Sequence, residues 1–490
     1  MTAAVKKNHF DQRNLTLLCD FYEITMANGY FVHGMKDRIA VFDVFFRDVP
    51  DDGGFAIFSG LEQVIDYLEN LTFSEEDLTY LENRKLFDPE FLSYLRTFKF
   101  VCDVWSMPEG TVIFPGEPLI RVRGPIVQAQ FIETMLLLTI NHQSLIATKT
   151  NRIVRAAKGR AVLEFGSRRA QGYDAANYGA RAAYIAGAAA SANTWSDIHM
   201  GVPAGGTMAH SWVQSFDTEL DSFIAYARAY PDECTLLVDT YNTLKSGVPN
   251  AIKVAHEVLE PMGKRLQGIR LDSGDIAYLS KKARAMLDKA GLSDCKIVVS
   301  NSLNEYIIRS ILIQGAEVDT FGVGENLITA RSDAVFGGVY KLVAMYDEKG
   351  ELVPKIKISD NIEKITTPSF KEVWRLFERE DNHPLADVIT LEHEVIPDGG
   401  PYEIFDPLDP TKRKTMTNFY AKKLLEPIYE KGKLVYKSPT LPEIRQRCLK
   451  NVSELWEEIC RLDNPHRYYV DLSQELWDLK TNLIKEYRNK

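Results

Sequence analysis

One histidine, His210, lies in the stretch GVPAGGTMAHSWVQSF (residues 201–216), among glycines and hydroxyl side chains and just ahead of an apolar, aromatic-rich run. An imidazole titrates near neutrality and can act as a base or a nucleophile, and small neighbours leave room for a phosphate to approach it. The plainer alternative is a histidine held by packing; a metal ligand has no partner at ligand spacing. Asp239 closes the run TLLVD, and Asp272 and Asp275 follow GIRL, with Arg270 two residues before Asp272. Two acidic strand ends on one face could share a Mg²⁺ with a diphosphate or accept hydrogen bonds from ribose hydroxyls. Helix N-capping is the competing role for Asp239 and Asp275. Lys149, Arg152, Arg155, Lys158, Arg160, Arg168, Arg169 and Arg181 outnumber Glu164 and Asp174 between residues 149 and 181, an excess suited to capturing phosphate or carboxylate. Of these, Lys158 and Arg160 read as a solvated face, while Arg168 and Arg169 follow Gly166 at a strand end. Gly322 and Gly324 in FGVGEN, and Gly337 and Gly338 in FGGVYK, could cradle a phosphate with backbone N–H groups. Neither is a P-loop or a dinucleotide fingerprint.

The elements that must carry these groups are short apolar runs ending in polar residues. RAVLEFGSRR, CTLLVDTYN, LQGIRLDSGD, KIVVSNSLN and VDTFGVGEN alternate with the helical stretches VPNAIKVAHEVLEPMG, DIAYLSKKARAMLDKAG and LNEYIIRSILIQGA. Runs this apolar predict strands buried on both faces, hence a parallel sheet or barrel whose functional groups collect at the C-terminal strand ends. Periodicity alone leaves an open doubly wound sheet as the alternative. Before them, DFYEITMANGYF has helical spacing, IAVFDVFFRDVP reads as a strand ended by Pro50, and GEPLIRVRGPIVQAQFIETMLLLTI as a strand, a Gly-Pro break and a buried helix. Beyond about residue 355 the rhythm fades into PDGGPYEIFDPLDPTKRK, read as loop or extended, and two helices expected around 441–463 and 472–487. Three parts follow: 1–140, mixed helix and strand; 141–355, the alternating strand–helix core; and 356–490, a structural domain without an obvious catalytic cluster.

With 490 residues the chain exceeds one hydrophobic core, and its net charge of −10 with no basic stripe argues against a nucleic-acid or anionic-membrane binder. An anionic substrate must therefore be captured locally. Cys19, Cys102, Cys234, Cys295, Cys448 and Cys460 form no CxxC pair and read as reduced thiols. The opening MTAAVKKNHFDQRN lacks the apolar core of a signal peptide, and no apolar run reaches the ~20 residues of a membrane span, so a cytoplasmic location is expected.

LCDFYEITMANGY, FFRDVP, GGFAIFSGL, EFGSRRAQG, GTMAHSW, VDTYNTLKSGVPNAI, RLDSGD, FGVGENLIT and GGVYKLV, in that order along nearly the whole chain, resemble the nicotinate phosphoribosyltransferases. The resemblance implies an irregular α/β barrel core with an N-terminal α/β domain and a C-terminal α+β domain. It implies synthesis of nicotinate mononucleotide from nicotinate and phosphoribosyl diphosphate, a step of NAD biosynthesis, with Mg²⁺ present and ATP as co-substrate. His210 matches the histidine phosphorylated from ATP, and Asp239 and Asp272 the carboxylates near ribose and diphosphate. Phe165 and a Tyr22 from a second copy of the chain match the rings that sandwich nicotinate, implying a homodimer with a shared site. Thr207 and Arg270 match its other nicotinate-binding positions, with Arg168 close by in EFGSRR as a further nicotinate-binding candidate, and Gly322, Gly324, Glu325, Gly337 and Gly338 are the phosphoribosyl-binding candidates. Glu325 and Ser302 depart from the family's usual threonine and aspartate, and Cys19 from its threonine. No acid lies between residues 188 and 195, where Ala190-Ser191-Ala192-Asn193 replaces the more usual Gly-Thr-Ser-Asn; a carboxylate there would repel nicotinate, so its absence favours the acid over the amide. A nicotinamide phosphoribosyltransferase and a catalytically silent nucleotide-binding barrel are the alternatives.

Overall fold

The computed structural model describes residues 13–361 and 364–488, which divide into two compact units, one spanning 146–334 and the other formed by the segments on either side. Most of the stretch read as lacking a signal peptide lies outside the described residues.

The central unit is built on six short parallel strands: β1 (Ala161–Glu164), β2 (Ala190–Ser191), β3 (Thr235–Leu237), β4 (Gly268–Leu271), β5 (Lys296–Ser300) and β6 (Thr320–Val323). Their order is β2-β1-β6-β5-β4-β3, every pairing parallel, as strands buried on both faces require. Helices separate successive strands, and most begin on a side-chain cap supplied just after a strand. Asn193 accepts from Trp195 N and Ser196 N, Asn242 from Lys245 N, Asp275 from Tyr278 N, and Asn304 from Ile307 N. Each cap satisfies an otherwise orphaned amide and stops the strand where its polar residues begin. Asp275 is thus a capping residue. Asp239 is not, because Asn242 caps the turn that follows it.

That turn runs from Thr243 to Gly247 and leads into the helix Val248–Val254. Gly247 has ordinary helical dihedrals, yet a Cβ on it would fall 1.8 Å from the Val238 carbonyl oxygen. Backbone packs directly on backbone there, one residue from Asp239. Gly247→Ala is expected to cost about 3 kcal/mol of stability, since neither surface is a flexible side chain that can yield. An unchanged chemical-denaturation midpoint would contradict this packing.

Much of the basic cluster serves the interior. The Glu305 carboxylate, fully buried, accepts from Lys149 Nζ at 2.8 Å and from Arg152 Nε at 3.1 Å, and both cations are themselves buried. Lys149 also donates to Ser332 Oγ at 2.6 Å. These cations are taken up by an internal carboxylate, which corrects their reading as anion-capturing groups.

The other unit holds a seven-stranded antiparallel sheet in the order Leu352–Pro354, Val339–Tyr346, Ile39–Phe45, Ile120–Pro125, Asp103–Ser106, Glu426–Glu430 and Lys433–Leu434. The N-terminal sheet is therefore completed by strands from two later parts of the chain. A four-stranded sheet, Phe419–Lys423, Lys371–Glu378, Pro384–Leu391 and Val470–Leu472, lies in the C-terminal region. Arg375 pairs with Asp387 through two hydrogen bonds of 2.8 and 2.6 Å inside it. The extended reading of PDGGPYEIFDPLDPTKRK corresponds to a hairpin of Tyr402–Phe405 with Arg413–Met416. The first tail helix is shorter than expected, ending at Ser453. The sequence NVS is a poor helix former, and Trp456 just beyond donates its indole N–H to the Pro384 carbonyl. Among the described residues no helix is long and apolar enough to cross a membrane.

Candidate active site

The C-terminal ends of β1, β3, β4, β5 and β6 gather Phe165, Asp239, Arg270, Asp272, Ser300 and Gly322, and the segment after β2 adds Thr207 and His210. Parallel register does the positioning. Arg270 pairs across from Val298, and Ser300 from Gly322, so successive strands place their last residues side by side.

Arg270 is the hub, with its side chain only 14% exposed. Its Nε donates to Ser300 Oγ at 2.9 Å, Nη1 to Thr207 Oγ1 at 3.0 Å and to the Met208 carbonyl at 3.3 Å, and Nη2 to Asp272 Oδ1 at 2.8 Å. The guanidinium carbon stands 5.6 Å from the centroid of the Phe165 ring. A planar fork held at its edges in this way keeps one orientation, which a lysine could not.

Asp272 accepts from Arg270 and, through a short hydrogen bond, from Ser300 Oγ, while its Oδ2 lies 3.5 Å from His210 Nε2. Burial works against its ionisation, but the donors Ser300, Arg270 and His210 outweigh it and hold the carboxyl below the usual aspartate range. Asp239 braces the neighbouring strand end: its Oδ2 accepts from Asp272 N at 2.8 Å and from Ser273 Oγ at 2.7 Å. Its Oδ1 is buried and has no protein hydrogen-bond partner.

His210 begins the short helix His210–Gln214, and its side chain is 39% exposed. Nδ1 lies 3.1 Å from Thr240 Oγ1, on the residue after Asp239. The ring is thus held on both nitrogens, by a hydroxyl and a carboxylate, yet stays open to a reactant. Gly206 has open space where a Cβ would stand.

Phe165 packs its ring on Gly322. A Cβ there would meet ring carbons at 2.5 and 2.6 Å, so glycine is required for the aromatic to lie flat over the strand. Glu164 beneath it is fully buried, its carboxylate taken by Ser191 Oγ at 2.5 Å and by Gly166 N. Burial raises the pKa of Glu164. Glu325, at the end of the FGVGEN loop, turns its carboxylate to Arg331, 2.7 Å away, so the acidic departure carries its own counter-charge. Arg168 is exposed and has no ion-pair partner among the described residues.

The structure therefore brings together His210, Asp239, Asp272, Thr207, Arg270 and Phe165 through contacts. Arg168, Gly322, Gly324 and Glu325 lie on the same unit. Tyr22, Gly337 and Gly338 belong to the other unit, where the Asn141 side chain occupies the space a Cβ on Gly338 would need. The sequence carries little signal for Ser300, the last residue of β5, or for Thr240, three residues past the end of β3.

Parallel strands that deliver two carboxylates, an arginine and a half-exposed histidine to one edge define an enzyme of the α/β-barrel class. The N-terminal and C-terminal domains of nicotinate phosphoribosyltransferase (NAPRTase) match residues 17–141 and 370–480, and the NAPRTase family itself residues 161–380. The chain belongs to the nicotinate phosphoribosyltransferase family. It is 45% identical over 483 residues to the nicotinate phosphoribosyltransferase of Bacillus subtilis, covering 98% of this chain and 97% of that one. With the Homo sapiens enzyme of the same name it shares 32% over 526 residues, 95% and 96% of the two chains. The crystal structure of human nicotinic acid phosphoribosyltransferase superposes with a TM-score of 0.83 at 31% identity, covering 95% of this chain and 100% of that one.

Proposed function

We propose that the chain joins nicotinate to 5-phospho-α-D-ribose 1-diphosphate, giving nicotinate mononucleotide and diphosphate for NAD biosynthesis, with ATP hydrolysis coupled through a phosphohistidine at His210. The observation that carries this reading is the Arg270 hub: a fixed cation beside the Phe165 ring, bonded to Thr207, is a receptor for a flat aromatic carboxylate.

In this reading the pyridine ring lies on Phe165, with its carboxylate taken by Arg270, Thr207 and Arg168. The pyridine nitrogen lone pair forms the bond to ribose C1 as the bond from C1 to the diphosphate oxygen breaks, its electron pair leaving with diphosphate. The sugar gains positive charge on the way, and the ionised Asp272 and neighbouring Asp239 stabilise it. Gly322, Gly324 and the Glu325 backbone hold the phosphoribosyl phosphates. Asp239 and Asp272 suit a Mg²⁺ shared with the diphosphate, because Asp239 Oδ1 is a buried acceptor with no protein donor and Mg²⁺ typically takes one or two carboxylates plus substrate phosphates. When bound, that ion would neutralise charge on the leaving diphosphate.

His210 takes the γ-phosphoryl group of ATP on a ring nitrogen as the bond from phosphorus to ADP breaks; Thr240 and Asp272 keep the ring oriented, and its exposure admits ATP. The working form in this reading is a homodimer in which Tyr22 closes a second copy's site; its 43% exposure on the helix Phe21–Val32, beside exposed Phe21 and Met26, supports this. The three-part division at about residues 140 and 355, and a cytoplasmic location, belong to the same reading.

The experiment is to incubate the purified chain with nicotinate, phosphoribosyl diphosphate, ATP and Mg²⁺ and to follow nicotinate mononucleotide and diphosphate. Equal yields of the two are expected. Diphosphate without the nucleotide, or neither, would contradict the assignment.

A further inference from the structure

We propose that Ser300 is a positioning residue, the single hydroxyl that locks Arg270 in the orientation needed to receive the carboxylate of the base; this rests on the assignment of Arg270 to nicotinate above. Ser300 is the last residue of β5 and is 3% exposed. The chain turns away immediately after it through Asn301 and Ser302, both in the left-handed region at φ 89° and 50°, so the hydroxyl is fixed at the strand end. The Asn326 side chain clamps that turn, donating to the carbonyls of Ser302 and Leu303 at 3.2 and 3.0 Å.

The contacts form a closed ring. Arg270 Nε donates to Ser300 Oγ, Ser300 Oγ donates to Asp272 Oδ1, and Arg270 Nη2 donates to the same oxygen. The hydroxyl spends its one proton on the carboxylate and its lone pair on the guanidinium. It thereby keeps Nε away from Asp272. Without it, Nε and Nη2 together match a carboxylate as a two-pronged fork, the geometry arginine prefers. The guanidinium would then swing toward Asp272 and draw Nη1 off Thr207, converting the single-pronged Arg270–Asp272 pair into a two-pronged one at the expense of the base. Ser300 thus decides how Arg270 divides its donors between the ribose-side carboxylate and the base.

The test compares steady-state kinetics of Ser300→Ala, Ser300→Thr and Arg270→Ala in the full chain, with nicotinate varied at saturating phosphoribosyl diphosphate and ATP. Ser300→Ala is expected to raise KM for nicotinate roughly tenfold, a larger factor than it lowers kcat, the split that marks lost binding of the base. Ser300→Thr keeps the hydroxyl and is expected to return KM to within about twofold of the parent. An unchanged KM in Ser300→Ala, or a Ser300→Thr no better than Ser300→Ala, overturns the proposal. The Arg270→Ala arm separates the two layers. If it raises KM for nicotinate while Ser300→Ala does not, only the role of Ser300 is overturned. If it leaves that KM unchanged, the assignment of Arg270 to nicotinate fails and Ser300 falls with it.

Discussion

His210→Ala is expected to abolish ATP hydrolysis while leaving slow, ATP-independent synthesis of nicotinate mononucleotide. In the proposed mechanism the C1 chemistry rests on Asp239 and Asp272, which the substitution leaves in place. What disappears is the nitrogen proposed to accept the γ-phosphoryl group. His210 sits where one residue can serve both processes, 3.5 Å from Asp272 through Nε2 and 3.1 Å from Thr240 through Nδ1. In the proposed reading, phosphorylating that ring would change charge and space beside Asp272, which would give ATP a physical route to tighter substrate binding. Coupling free energies of this kind run from about 1 to 3 kcal/mol, so ATP should improve apparent substrate affinity some 5- to 150-fold in the parent and not at all in His210→Ala. Paired assays of ADP release and nucleotide formation, with and without ATP, check this directly. A variant that still hydrolyses ATP in step with synthesis would remove His210 from the coupling.

Arg270→Ala should be the more damaging change for binding. A hydrogen bond to a charged group contributes about 1.5–3 kcal/mol, which predicts a rise in KM for nicotinate of roughly 10- to 150-fold. A second cost arises inside the protein. Asp272 loses its nearest cation and is left half-buried with only Ser300 and His210 as donors, and breaking a buried pair by removing one partner is destabilising. Both a raised KM and a lowered melting temperature are therefore expected. A variant with parental KM for nicotinate would mean that the base binds elsewhere.

The strand ends were legible because each apolar run stops at a residue that can do chemistry, and the parallel pairing of β1 to β6 follows from runs with no polar alternation. What the acids do at those ends was not legible. Asp239 and Asp275 look alike as strand-following aspartates, yet Asp275 caps a helix and Asp239 reaches across to the Asp272 amide. The difference is set by register between strands, which no local pattern encodes. Lys149 and Arg152 misled for a related reason. Their charge is visible in the sequence, but their burial against Glu305, more than 150 residues on, is a tertiary fact. Ser300 and Gly247 act through a hydroxyl and a missing Cβ, the smallest signals a sequence carries. Glu325 stood out as a misfit beside a phosphate loop until Arg331 appeared next to it.

The fold would serve a nicotinamide-using enzyme as well; the charge of the receptor at Arg270 is what separates the two. Arg270 offers a cation to the ring substituent, its charge shared with the paired Asp272, with Thr207 alongside, and the neighbouring Glu164 is buried and already occupied. That arrangement rewards a carboxylate far more than an amide. The most direct test is turnover of nicotinate against nicotinamide with phosphoribosyl diphosphate, each with and without ATP. A kcat/KM for nicotinate at least about 100-fold higher, increased further by ATP, is expected. Nicotinamide turned over as fast as nicotinate, or faster, would contradict it.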